Sequence, residues 1–247
     1  MADISLLRPQ IWKDNPKITA AVTTANEDII TGGTIDGLNM SVRLEGNADR
    51  VMRYRKMVMQ GLGLQDAGLA TGVQVHSSNI AIVEQPGEYA DTDGLITKEK
   101  NLCLGILVAD CAAILISDEK NGVIAALHAG WRGAVSNIVP DAIEVMISLG
   151  ANPQSMKAYV SPCLSLKNFE VGEEVAEQFP EDCVDRESFS KPHVDLKKFI
   201  RSQMENDGIL PESITIDDRC TISDTSLYSY RRQKQNSGRM MALICQK

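Results

Sequence analysis

The 247-residue chain has only three histidines, His76, His128 and His193, and none of its six cysteines is spaced as C-x-x-C. The scatter of Cys103, Cys111, Cys163, Cys183, Cys220 and Cys245 excludes a local zinc-finger pattern and a disulfide framework, and predicts reduced thiols. No apolar run approaches the length of a membrane span, so no membrane partner is expected. Positive charge is scarce too: 25 Lys and Arg stand against 33 Asp and Glu, for a net charge of −8. Such a chain lacks a broad basic surface for a phosphate backbone, which disfavours nucleic acid. A local cluster of arginines still suits a small anionic substrate. The first twenty residues have no basic stretch, long apolar core or small-residue cleavage site, and a cytoplasmic location is expected. Internal repeats, low-complexity tracts and Pro/Gly/Ser linkers are missing as well. That predicts one domain over residues 1–247.

What remains is an ordinary globular composition, 43% hydrophobic and 23% charged, enough for a core of normal size. Asn47 to Leu62 reads as a helix, with Asn47 as cap, apolar positions at Val51, Met52 and Val58, and Gly61 closing it. Met52, Met57 and Met59 read as core filler. The short apolar runs Leu104–Val108, Ala112–Ile116 and Val123–Leu127 read as buried strands. A turn at Gly130–Gly133 precedes helical spacing at Val135, Ile138, Val139, Ala142, Ile143 and Met146, where Pro140 is tolerable only near the start. Asp195 caps a further helix with the stripe Leu196, Phe199, Ile200 and Met204, ended by Gly208. Arg239–Cys245 reads as a core strand. Strands and helices mix along the chain, and several strands follow one another directly. The expected class is α+β with mixed sheets flanked by helices.

Two histidines sit where strand-like segments break, in Val73-Gln74-Val75-His76 and in Ala126-Leu127-His128-Ala129-Gly130. Between them lies Val108-Ala109-Asp110-Cys111-Ala112-Ala113, where an Asp beside a Cys interrupts an apolar stretch. Polar groups there are costly unless used. Two imidazoles and a thiolate form a recognised set for catalytic zinc, with the fourth position left to water or substrate. The residues alone leave a plainer reading open, with Cys111 a small buried hydrophobe and both imidazoles satisfied by backbone carbonyls.

His128-Ala129-Gly130-Trp131-Arg132-Gly133, preceded by Ala109-Asp110-Cys111 and Gln74-Val75-His76, resembles the YfiH, or laccase-domain, family of purine nucleoside phosphorylases. The resemblance continues through Asp93-Gly94-Leu95-Ile96-Thr97, Pro162-Cys163, Phe169-Glu170-Val171-Gly172, Asp195-Leu196, Cys220-Thr221, Ser229-Tyr230-Arg231-Arg232 and Gly238-Arg239-Met240. It implies a fold similar to that of cysteine hydrolases and a zinc site at His76, Cys111 and His128, one ion per chain. It also implies phosphorolysis of purine nucleosides, with adenosine deamination and methylthioadenosine cleavage as related activities, and an older polyphenol-oxidase label. Two departures stand out. Thr23-Thr24-Ala25 lacks the arginine the family carries before a Gly-Gly pair, here displaced to Gly32-Gly33, and Ser77 follows Gln74-Val75-His76 where a glycine is common.

Around the ligands, Asp110 is expected as an acid–base group or as a partner that orients a ligand. Arg132, just before a helix start, is expected to hold phosphate, or else to stack on Trp131 at the surface. Arg232 is expected to meet substrate, with Arg231 and Arg232 split between cavity and scaffold, and Cys163 to line the pocket or lie inert. His193 is expected to order a loop. The expected partners are a nucleoside and phosphate. Copper is the alternative metal for a phenol oxidase, because His and Cys donors suit it too. Yet three histidines cannot furnish a multi-copper oxygen-reducing cluster. A metal-free hydrolase with Cys111 as nucleophile and His76 or His128 as base, and a non-catalytic binding module, complete the alternatives.

Overall fold

Apolar residues alternate with period two along the strands, so that each buried strand feeds two separate cores. The computed structural model describes residues 4–26, 35–44, 46 and 48–247. One six-stranded sheet runs, in spatial order, β1 (Leu6–Leu7), β2 (Ile18–Thr23), β14 (Met240–Gln246), β7 (Leu102–Val108), β3 (Gly68–Gly72) and β5 (Gly87–Tyr89). A second runs β13 (Ile214–Ile216), β10 (Lys157–Val160), β8 (Ala112–Asp118), β9 (Val123–Ala129), β6 (Gly94–Thr97) and β4 (Ile80–Ile82). A small ribbon pairs β11 (Val184–Asp185) with β12 (His193–Val194). Both large sheets are mixed: β7, β3 and β5 run parallel in the first, as do β10 with β13 and β4 with β6 in the second. Other neighbours are antiparallel.

Alternation along β14 shows the layering. Met240, Ala242 and Ile244 face the second sheet, in a core shared with Ala113, Leu115, Ile124 and Ala126. Met241, Leu243 and Cys245 face the other way, onto Tyr54, Val58 and Met59 of α1 (Ala48–Gly61). On the outer face of the second sheet, Ile114, Ile116, Ala125 and Leu127 pack against α3 (Ile138–Ser148) and α5 (Leu196–Asn206). The result is an α+β domain of four layers, helix, sheet, sheet, helices. α2 (Trp131–Val135) leads into α3, while α4 (Glu173–Ala176) and α6 (Tyr230–Gln233) are single turns.

Several expectations need correction. In α1, Val51 and Val58 are buried, but Met52 points out to solvent. The chain leaves that helix through Gly63, whose φ of 69° lies in the left-handed region, so Gly61 is its last residue rather than its stop. The cap expected of Asn47 falls outside the described residues. The Gly130–Gly133 turn is itself helical from Trp131 onward. Asn137, at φ 65°, breaks the path and restarts it as α3, which puts Pro140 in a first turn where its missing N–H leaves no bond unmade. Asp195 does cap α5, accepting from the Lys198 N–H at 3.0 Å, and Gly208 at φ 90° follows its end.

Candidate metal centre

Cys111 immediately precedes β8, in phase with Ala113 and Leu115, and packs against the core between the sheets. His128 is in phase with Ile124 and Ala126 on β9 and pairs in register with Ala113. Both side chains therefore point into the gap between the sheets at one end. His76 arrives from the other sheet. Beyond β3 the chain is carried on by Gln74, whose amide accepts from the Leu107 N–H and donates to the Leu107 carbonyl, both at 2.8 Å. A side chain thus extends the ladder to β7, and His76 follows at φ 61°. The His76 and His128 rings meet edge to face, 4.8 Å between centroids. The ligand-bearing atoms of His76, Cys111 and His128 all lie within 4.8 Å of one another, with His128 buried, Cys111 half-buried and His76 exposed.

This trio fits an ion. A thiolate and two imidazoles are a zinc or copper donor set, and one side remains open. Burial by itself opposes ionisation of Cys111, but the charge of His128 and hydrogen bonds from both imidazoles outweigh it and bring the thiol down to about 6. Burial likewise opposes charge on His128, yet Cys111 and Asp93 together lift it to about 9. The space beside the sulfur is kept by Gly130, where a Cβ would stand 3.0 Å from Cys111 Sγ and 3.4 Å from His76 Cδ2.

Asp93, just before β6, is fully buried within this frame. Its Oδ1 lies 2.7 Å from His128 Nδ1 and accepts from the His76 N–H at 3.0 Å. Its Oδ2 accepts from the N–H groups of Val75 and Ser77 and from Ser77 Oγ. Burial pushes this carboxyl up, but the bonds from His128 and Ser77 prevail and hold it near 2.

The three side chains stand in a cavity of about 650 Å³. Asp110 also lines it, at φ 86°, with Oδ1 accepting from Thr221 Oγ1 at 2.6 Å and Oδ2 from the Arg231 N–H at 2.6 Å. Arg132 lies at the rim, exposed, with its guanidinium 4.3 Å from the Trp131 ring centroid. Arg232 is not brought to the cavity. Its guanidinium donates to the carbonyls of Thr221, Ile222 and Leu227, so the expected substrate contact gives way to a scaffold role. Arg231, Arg239 and Arg43 line the cavity instead. Cys163 is fully buried away from it, its thiol pushed up to about 12 chiefly by burial. His193 is tied to the Leu166 carbonyl and stacks on Phe189, the loop role expected of it. Thr24 donates to the Ser5 carbonyl, while Gly32 and Gly33 fall outside the described residues.

A family model described as multi-copper polyphenol oxidoreductase laccase matches residues 19–247. The chain belongs to this family. Among laccase-domain relatives, a Mycobacterium bovis protein named purine nucleoside phosphorylase is 33% identical over 228 residues, covering 90% of each chain. Another, from an unknown prokaryotic organism and named adenosine deaminase RL5, is 29% identical over 245 residues, 92% of this chain and 94% of its own. The crystal structure of Bacillus licheniformis YfiH superposes with a TM-score of 0.88 at 24% identity, covering 100% of this chain and 98% of that one. The chain thus shares the YfiH-like fold.

Sequence reasoning did not find the part played by Asp93, Gln74 or Arg239. Each lay inside a quoted motif, but nothing in its neighbours along the chain signals which distant group it meets.

Proposed function

We propose that the chain is a zinc-dependent purine nucleoside phosphorylase. The carrying observation is the convergence of His76, Cys111 and His128 on the lining of a cavity large enough for a nucleoside, which also bears arginines and aromatic rings. The name of the mycobacterial relative supports the substrate class. When bound, the ion supplies Lewis-acid polarisation of a substrate heteroatom. Zinc suits the thiolate–imidazole set with its open position, and the chain's three histidines are too few for a multi-copper cluster.

The chain's own side chains supply the rest. Phosphorolysis needs an anion at the sugar carbon, while the departing purine takes the bond's electron pair and a proton. Arg231, Arg239 and Arg132 draw the anion into an otherwise acidic protein. The faces of Trp131, Phe169 and Tyr230 offer apolar surface to base and sugar. No covalent enzyme nucleophile is required. Asp110 holds the Arg231 backbone through its Oδ2, and in this reading it also manages the proton of the leaving purine.

Elemental analysis of purified protein, combined with a nucleoside panel run with and without phosphate, tests the proposal. Close to one zinc per chain, lost in Cys111→Ser, with phosphate-dependent release of free purine, is the expected result. Ammonia release without phosphate would point to deamination, as the name of the second relative suggests. Full activity in metal-free protein would overturn the proposal in favour of a Cys111 hydrolase.

A further inference from the structure

We infer that Asp93 is the positioning residue of the metal centre, one buried carboxylate that fixes both histidine ligands at once. The inference rests on reading His76, Cys111 and His128 as that centre. Both Asp93 oxygens already act as acceptors, Oδ2 from the N–H groups of Val75 and Ser77 and Oδ1 from that of His76. At 2.7 Å from Asp93 Oδ1, His128 must therefore carry its proton on Nδ1, which leaves Nε2 to face the ion. The backbone makes the same alignment, because the His128 N–H donates to the Asp93 carbonyl at 2.7 Å.

His76 is held by other means. Its φ of 61° is an uncommon conformation for a residue with a Cβ, and it persists only when the surroundings impose it. The three successive N–H groups of Val75, His76 and Ser77 all converge on the Asp93 carboxylate at 2.8–3.1 Å, forming a concave nest around the anion. Ser77 adds its hydroxyl at 2.8 Å, so the departure from glycine at this position supplies a fifth bond. An ordinary loop anchor would account for the bonds to 75–77. It would not require Oδ1, which already accepts from the His76 N–H, to reach across to the ring of a ligand on β9 as well.

The test uses the full chain. Zinc affinity of the wild type, Asp93→Asn and Ser77→Ala is measured by competition with a chromophoric chelator, alongside the absorption spectrum of each Co(II)-loaded protein. In Asp93→Asn an amide N–H₂ faces donors, so zinc affinity should fall about 10- to 100-fold, with altered cobalt bands in protein that still melts cooperatively. Ser77→Ala loosens the loop but keeps the His128 contact, and should stay within about threefold. A folded Asp93→Asn with wild-type affinity and spectrum overturns the inference. Should that variant not fold, nitrogen chemical shifts of the imidazoles in zinc-loaded wild type decide: a proton on His128 Nδ1 supports it and a proton on Nε2 overturns it. Wild type that binds neither zinc nor cobalt would instead sink the metal reading itself.

Discussion

Burial alone would keep Cys111 a thiol and His128 neutral, and their facing each other, with His76 beside the sulfur and Asp93 behind His128, makes both ionise. A consequence for pH follows. Metal binding needs a thiolate and a neutral imidazole. In metal-free protein Cys111 is already a thiolate above about 6, whereas His128 keeps its second proton up to about 9. An incoming ion must therefore displace one proton across that window, and its apparent affinity should rise by up to about tenfold per pH unit until His128 titrates. Chelator competition at several pH values checks this, and a flat profile would show that the two groups do not ionise as a pair. The arginines separate just as sharply. Arg232→Ala strands three loop carbonyls and should cost about 2 kcal/mol in denaturant unfolding, in line with a loss of several bonds to a charged group. Arg231→Ala should leave stability closer to wild type and raise the KM for phosphate about tenfold. Equal stability losses in both variants would place Arg231 in the scaffold too.

Among the elements, the join between β9 and α2 sets the shape of the centre. The chain leaves His128 and turns through Gly130 into the first turn of α2, so that backbone rather than side chain stands beside Cys111 Sγ. Gly130→Ala would place a methyl 3.0 Å from the sulfur, close enough that the sulfur must give way. We expect metal affinity to fall roughly tenfold while the melting temperature of metal-free protein stays near wild type, because such a shift perturbs ligand geometry more than packing. Unaltered affinity would mean that the sulfur moves freely. This join also shows what a sequence can disclose. Leu104–Val108, Ala112–Ile116 and Val123–Leu127 were legible because an apolar run of that length has few places to go but a buried strand, and each proved two residues longer. His76 and His128 were legible as donor types where strand-like segments break, and Cys111 as one that, with Asp110, interrupts an apolar stretch. The break at Asn137, the left-handed His76 and the reach of Asp93 were not, since each is fixed by a partner from a different part of the fold. Arg232 was misjudged for the same reason. A guanidinium satisfies carbonyls or an anion equally well, and only the course of residues 221–227 chooses between them.

For the whole molecule, what matters is which layers the three donors come from. His76 lies on the crossover from β3 in one sheet to β4 in the other, tied there to Asp93, while Cys111 immediately precedes β8 and His128 lies near the end of β9 in the second sheet. Elsewhere the two sheets are held face to face by apolar burial, with Ile106, Val108 and Ile244 against Ala113, Leu115 and Ile124. That attraction is non-directional and tolerates small slides. An ion bound by donors from this crossover and from the ends of β8 and β9 is directional, and it is lost when the fold opens, so it binds the folded state and little else. Linkage then predicts how much it adds: at free metal about a hundredfold above Kd, binding stabilises by about 2.7 kcal/mol. In a chain of this size each kcal/mol moves the melting temperature by about 2–4 °C, so stripping the metal should lower it by roughly 5–10 °C, and adding zinc back should restore it. Cys111→Ser should melt at the temperature of stripped wild type and gain little from added zinc. If chelator left the wild-type transition in place although metal analysis showed the ion gone, the ion would not be what fastens the β3–β4 crossover to β8 and β9.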